Sequence, residues 1–266
     1  MSPPLSGRRV VVTRPVAQAR ELVDRLTALG AQVVELPLTR IVPIEEGTHI
    51  DEALERLAEY QVIVVTSANG AESFADRLAV AGVAPAAATT IVAVGAATAV
   101  ALRDRGVRVD LIPELATGAA IVVELAQRDL AGVRILLPRA REGRPELPQG
   151  LRQAGALVDD VAFYETVRCP VDPSAVARAG DAHDIVVTAP SGVEAFVALP
   201  GHDRLGLRIV TIGPTTSAAV RRLGLPVAAE SAEQSVVGLI RAIRSLPHAD
   251  GPLDRNPDPE APKPRL

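Results

Sequence analysis

The chain has 266 residues, 48% hydrophobic and 23% charged, with a formal net charge of −4. That size and balance predict a soluble globular protein with one large domain or two small ones. Aromatics at 2% leave no stacking platform for bases, and an acidic chain without a basic tract disfavours nucleic acid.

Cationic charge is almost all arginine. The single lysine, Lys263, lies near the C-terminus, so a Walker lysine, a Schiff-base lysine and a pyridoxal lysine are all missing from the body of the chain. One cysteine, Cys169, provides no disulfide framework and fits a reducing cytoplasm. His49, His183, His202 and His248 show no ligand spacing, so no zinc or other metal site is expected. MSPPLSGRR has no hydrophobic leader and no apolar run approaches a membrane span, so a cytoplasmic protein without a membrane partner is expected.

In chain order, Arg9–Thr13 reads as a buried strand, Val16–Leu29 as a helix closed by Gly30, and Ala31–Leu36 as a second strand. Strand, helix and strand at this length form a βαβ unit. Residues 37–43, bracketed by two prolines, read as a linker. Ile50–Ala58 is an amphipathic helix, 61–65 a strand ending in Thr66-Ser67-Ala68-Asn69-Gly70, and Ala71–Ala81 the next helix. A strand–turn–helix from Ile91 to Val107 follows, then a helix over 117–127 that Thr117 caps. Val133–Leu137 is a strand, 140–148 an Arg- and Pro-rich loop, and 149–154 a short helix. Residues 156–161 lead into a strand, and 162–170 mirror the first linker. Ile185–Thr188 is a strand followed by a helix through Ala198. A second strand–turn–helix runs from Ile209 to Leu225, and Ser235–Leu246 is the last helix. Residues 248–266 are proline-rich and expected to be disordered.

The chain repeats itself. IVAVGAATAV and IVTIGPTTSAAV begin at 91 and 209, an offset of 118; Thr66 and Thr188 open matching turns at an offset of 122; VVVTRP from Val10 resembles ILLPRA from Ile135 at an offset of 125. The fold class is therefore α/β, with two related halves that each form a parallel sheet flanked by helices. Alternating elements put ligands beyond the carboxyl ends of the strands, where the hydroxyl-rich turns lie.

Gly95 and Gly213 open helices whose backbone N–H groups favour an anion, with Thr98, Thr215 and Thr216 alongside. The competing reading of these threonines is helix capping. Ser67 and Ser191 occupy comparable turns. Arg14 and Arg139 each follow a strand at equivalent places, with Arg141 and Arg144 in the adjacent loop; arginine grips carboxylates in a fork. Solvated surface arginine is the alternative. Tyr164, in the second linker, is a hydrogen-bond donor or general acid, or else a packed aromatic.

VVVTRP, TSANG, VGAAT, LLPR with its Arg/Gly loop, FYET, TAPSG and IGPTT, in this order, resemble uroporphyrinogen-III synthases across residues 8 to about 245. The resemblance implies that the two related parallel-sheet α/β halves are two domains joined by a two-stranded linker, the first discontinuous, 1–37 plus 170–247, and the second over 43–163. It implies cofactor-free cyclisation of the linear tetrapyrrole hydroxymethylbilane, with loss of water and inversion of ring D, in tetrapyrrole biosynthesis. It points to Tyr164 and Thr98 as catalytic and to Ser67, Ser191, Thr215 and Thr216 as substrate-binding, with Arg139 and Arg144 on the family's Arg/Gly loop; Arg14, Gly95 and Gly213 join the expected substrate-binding set from their own places in the repeat. The substrate's eight carboxylates give those arginines and turns a purpose. Pro145 departs from the family, whose members often continue there into helix. A monomer is expected, taking its substrate from hydroxymethylbilane synthase. A non-catalytic sensor of small anions would use the same turns, and so would a nucleotide- or sugar-phosphate transferase, but the acidic metal motif of the latter is missing.

Overall fold

A computed structural model describes residues 3–44 and 48–247. In chain order the elements are β1 (Arg9–Val12), α1 (Val16–Ala28), β2 (Gln32–Glu35), β3 (Thr39–Pro43), α2 (Thr48–Glu55), β4 (Val62–Val65), α3 (Ala68–Ala81), β5 (Thr90–Ala93), α4 (Ala96–Arg103), α5 (Gly118–Leu125) and β6 (Arg134–Ala140). They continue as α6 (Glu146–Gln153), β7 (Leu157–Arg168), α7 (Pro173–Ala179), β8 (Asp184–Val187), α8 (Pro190–Val197), β9 (Arg208–Thr211), α9 (Pro214–Arg222), β10 (Val227–Glu230) and α10 (Val236–Ser245). The proline-rich segment 248–266 lies outside the described residues.

The chain forms two compact units, Met1–Arg40 with Val167–Leu266 and Ile41–Thr166. The first holds a sheet ordered β10-β9-β8-β1-β2, parallel at every pair. The second holds β3-β7-β6-β4-β5, parallel from β7 to β5. Both sheets are covered on both faces, which is why their central strands read as unbroken β-branched runs. On β1, Val10 and Val12 pack with Leu22, Leu26 and Ile243 of α1 and α10, while Val11 faces Phe196 and Val220 of α8 and α9. On β4, Ile63 and Val65 face Phe74 and Leu102, while Val62 and Val64 face Ile121 and Leu151. Each such side chain, once buried, contributes about 1.5–3 kcal/mol.

The repeat extends through the whole architecture. The parallel bridge Val92↔Leu111 beyond β5 matches Val210↔Ala229 between β9 and β10, at the offset of 118. Thr117 and Ser235, again 118 apart, cap α5 and α10 by accepting from Ala120 N–H and Gly238 N–H. Gly30 and Gly155, 125 apart, end α1 and α6 with φ of +89° and +96°, a left-handed turn that favours glycine. The units are thus one fold entered at different points: β1-α1-β2 opens the first, and its counterpart β6-α6-β7 closes the second.

The two extended segments expected as a two-stranded linker are strands, and the boundaries of the two units fall within them; several other elements differ from the sequence reading. Residues 39–43 are β3, beside β7, which runs unbroken over 12 residues through the expected linker. Cys169 N–H donates to Leu38 O and Ile44 N–H to Phe163 O, an antiparallel pairing that gives both segments the partners prolines alone did not predict. Helix α3 starts at Ala68 because Ser67 is its N-cap. Helix α6 starts at Glu146, inside the expected loop, and Pro148 is tolerated in its first turn, where no N–H partner is needed. Two elements had no sequence assignment: α7, capped by Asp172, and β10, whose VAAE lacks a strand-like run.

Candidate functional site

In each sheet the order of the parallel strands reverses at one point, between β1 and β8 in one unit and between β4 and β6 in the other. Crevices for ligands open beyond the carboxyl ends of such strands. In the Ile41–Thr166 unit that point is built by β4, α3, β6 and β7. Ser67 ends the β4 turn and its Oγ accepts the Gly70 N–H at 2.9 Å. The same oxygen lies 2.9 Å from the Tyr164 Oη, delivered by β7. A Cβ on Gly70 would stand 3.1 Å from Ser67 Oγ, 3.4 Å from Pro138 O and 3.7 Å from Tyr164 Cε1, so glycine lets strand, helix and phenol close up. Tyr164 is buried. Burial pushes its phenol above the ordinary 10.0, and the Ser67 hydroxyl pulls the other way. The phenol is therefore protonated at neutral pH, at the positive end of α3. In the same unit Gly95 opens α4 in an extended conformation, where a Cβ would stand only 3.1 Å from the Ala116 side chain.

The two repeat-related arginines have opposite fates. Arg139 forks onto both oxygens of Asp160 and gives its remaining NH1 to Arg144 O. Gly143 makes this possible, since a Cβ there would lie 2.3 Å from the guanidinium. Arg139 thus holds the loop through Asp160 and the Arg144 carbonyl. Arg144 contributes its carbonyl to that lock and keeps an exposed side chain, and Arg141 pairs with Glu165 at 3.0 Å. Arg14, in the other unit, has no such acid. Its Nε is buried without a hydrogen-bond partner, and burial draws the guanidinium below its ordinary value while Glu21 acts the other way. Near it, Thr13 Oγ1 donates to Val186 O, and a Cβ on Gly192 would approach that oxygen at 4.0 Å. Helix α8 begins there with Ala189 and Pro190 and has no side-chain cap, leaving Ser191 half-buried in its first turn.

The threonines do not cap their helices; Gly95 and Gly213 hold the N-cap positions without a side-chain bond. Thr98 and Thr216 are only 3% and 2% exposed, so they pack under the turns and present little surface to a ligand. Thr215 is exposed, while the matching position 97 is alanine. Beside these buried hydroxyls, each turn also carries the backbone N–H groups of its helix start, with Thr215 exposed in one unit. Among the described residues no group of three or more His, Cys, Asp or Glu is placed to hold a metal ion.

The family model HEM4, described as "Uroporphyrinogen-III synthase HemD", matches residues 20–241. The chain belongs to the uroporphyrinogen-III synthase family. A uroporphyrinogen-III synthase of Synechococcus elongatus is 32% identical over 90% of this chain and 96% of its own length. The porphyrin biosynthesis protein HemD of Ruminiclostridium josui is also 32% identical, over 85% of this chain but 46% of its own length. Among solved structures, a mutant uroporphyrinogen III synthase of Thermus thermophilus shares the fold with a TM-score of 0.64 at 16% identity, covering 90% of this chain and 98% of that one. The Helicobacter pylori protein does so at 0.57 and 17%, covering 90% and 99%.

For this member of the family, the sequence reading named both Ser67 and Tyr164 but assigned Ser67 to substrate rather than to the phenol. It missed Gly70, Gly143 and Asp160. The glycine repeated at 70 and 192 was a usable signal. Asp160 carried none, because its pairing with Arg139 depends on the β6–β7 register.

Proposed function

We propose that the chain closes hydroxymethylbilane into uroporphyrinogen III, with its two compact units serving as the enzyme's domains. The family's reaction removes a hydroxyl from the terminal hydroxymethyl carbon, leaving an azafulvene; a proton joins that hydroxyl as water, and ring D is inverted as the macrocycle closes. The substrate supplies the reactivity, so the protein's work is positioning and one proton delivery. Tyr164 protonates the departing hydroxyl. The observation that carries this assignment is the phenol, neutral and hydrogen-bonded to Ser67 at the carboxyl edge of its sheet. Arg14 takes a substrate carboxylate, supported by its buried, unsatisfied Nε; the turns at Gly95, Ser191, Gly213 and Thr215 take others through backbone N–H groups. Thr98 and Thr216 shape those turns from beneath. Arg139 and Arg144 hold the loop. We place this activity in a cytoplasmic monomer supplied by the enzyme that makes the linear tetrapyrrole; among the described residues no helix is long and apolar enough to cross a membrane.

The test is a split in kinetics. Arg14→Gln should raise KM with little change in kcat, whereas Tyr164→Phe should lower kcat with little change in KM. A wild-type KM in folded Arg14→Gln returns that arginine to a packing role.

A further inference from the structure

A serine hydroxyl has one proton and two acceptor sites. In Ser67 one acceptor site is taken by Gly70 N–H. If Tyr164 donated to the other, the phenol proton would be spent on the cap and unavailable to the substrate. If Ser67 donates, its hydroxyl is satisfied on both sides, and the phenol keeps its own proton for the crevice. The second arrangement also suits the chemistry. As Tyr164 gives up its proton, negative charge grows on Oη, and the Ser67 O–H and the positive end of α3 both oppose its cost. The repeat shows that the cap is not a requirement of the fold. At the matching turn Ala189 stands where Ser67 does, α8 forms without a side-chain cap, and Gly192 is retained.

We propose that Ser67 is a positioning residue for Tyr164, donating to the phenol oxygen so that the Tyr164 O–H is directed at the departing hydroxyl, with Gly70 kept small to permit the approach. This rests on the assignment of Tyr164 as proton donor. It adds that Ser67 acts through that phenol rather than on the substrate.

The experiment is a mutant cycle on turnover, joined to a spectroscopic reading of the phenol. Ser67→Ala should lower kcat about tenfold, the worth of one lost hydrogen bond to a group that develops charge, with KM nearly unchanged. Ser67→Thr should restore most of it. Ser67→Asp still caps the helix but cannot donate, so it should be as slow as Tyr164→Phe. In a Tyr164→Phe background, Ser67→Ala should cost nothing further. The protein has two tyrosines and no tryptophan. With Tyr60 assigned by Tyr60→Phe, the 13C resonance of the Tyr164 ring carbon bearing oxygen should move in Ser67→Ala and return in Ser67→Thr. A full additive loss on a slow Tyr164→Phe background overturns this proposal alone, as does an unmoved resonance or a wild-type rate in Ser67→Asp. Wild-type turnover in Tyr164→Phe overturns the proton-donor assignment and this inference with it, while leaving the resonance shift to report the hydrogen bond itself.

Discussion

Asp184, the first residue of β8, offers the largest stability prediction. Its carboxylate is fully buried and shared by Arg8 Nε at 2.7 Å and Arg208 Nε at 2.8 Å, with side-chain exposures of 2% and 21% for the two arginines. The same arginines hold the end of α10, Arg8 through Leu246 O and Arg208 through Pro247 O. The cluster therefore ties β1, β8, β9 and α10 together at the amino edge of the sheet, opposite the crevice. Asp184→Ala would leave Arg8 buried with no counter-charge and beside a second cation. Breaking a buried pair from one side costs about 3–5 kcal/mol. Arg208 is partly open and can turn to water, so removing it should cost less, about 1–2 kcal/mol. Urea unfolding followed by circular dichroism reads both. With an m-value of about 2 kcal/mol/M, the Asp184→Ala midpoint should fall by about 2 M. Replacing all three groups with apolar residues of similar size should recover most of the loss, because the desolvation cost goes with the charges. A loss below about 1 kcal/mol in Asp184→Ala would mean that Arg8 finds another partner or reaches water, and that the buried cluster does not hold the edge of the sheet.

Three further outcomes are expected. Tyr164→Phe should reduce turnover about a hundredfold, with the inverted isomer still the main product, because the substrate loses hydroxide on its own; rapid-quench assay with isomer separation measures both. Gly143→Ala should force Arg139 off Asp160 and lower the melting temperature, and Arg139→Met should lower it similarly without a rise in KM; a large KM effect in Arg139→Met would return that arginine to substrate binding. His183 Nδ1 accepts the Arg9 N–H at 3.0 Å, and burial, ahead of its neighbouring charges, draws its folded value below the ordinary 6.5. The unfolded chain then binds more protons, so stability should fall as pH drops below 6.5 toward the folded value, and His183→Gln should remove that part of the slope.

Much of the fold was legible because its physics is local. β1, β4, β8 and β9 are covered on both faces and read as β-branched runs; Thr117 and Ser235 announce helix starts. Repeat offsets exposed the duplication before any strand was paired. What failed to show depends on partners far along the chain. Residues 37–43 and 162–170 read as extended connectors from their prolines, but the backbone bond between them was not legible there. Arg14 and Arg139 were indistinguishable as sequence, and only the register that sets Asp160 beside Arg139 separates a loop organiser from an arginine with an unsatisfied Nε. That Thr98 and Thr216 are buried and do not cap their helices was not legible either, because helical numbering does not say which side of a first turn the sheet will cover.

An enzyme of this family must direct ring closure rather than merely bind a tetrapyrrole. The direct measurement is to supply hydroxymethylbilane to the purified, chelator-treated full chain and resolve the isomers of the cyclised product. Uroporphyrinogen III should be the dominant product, formed faster than spontaneous closure. Type I isomer alone, at the spontaneous rate, would contradict it.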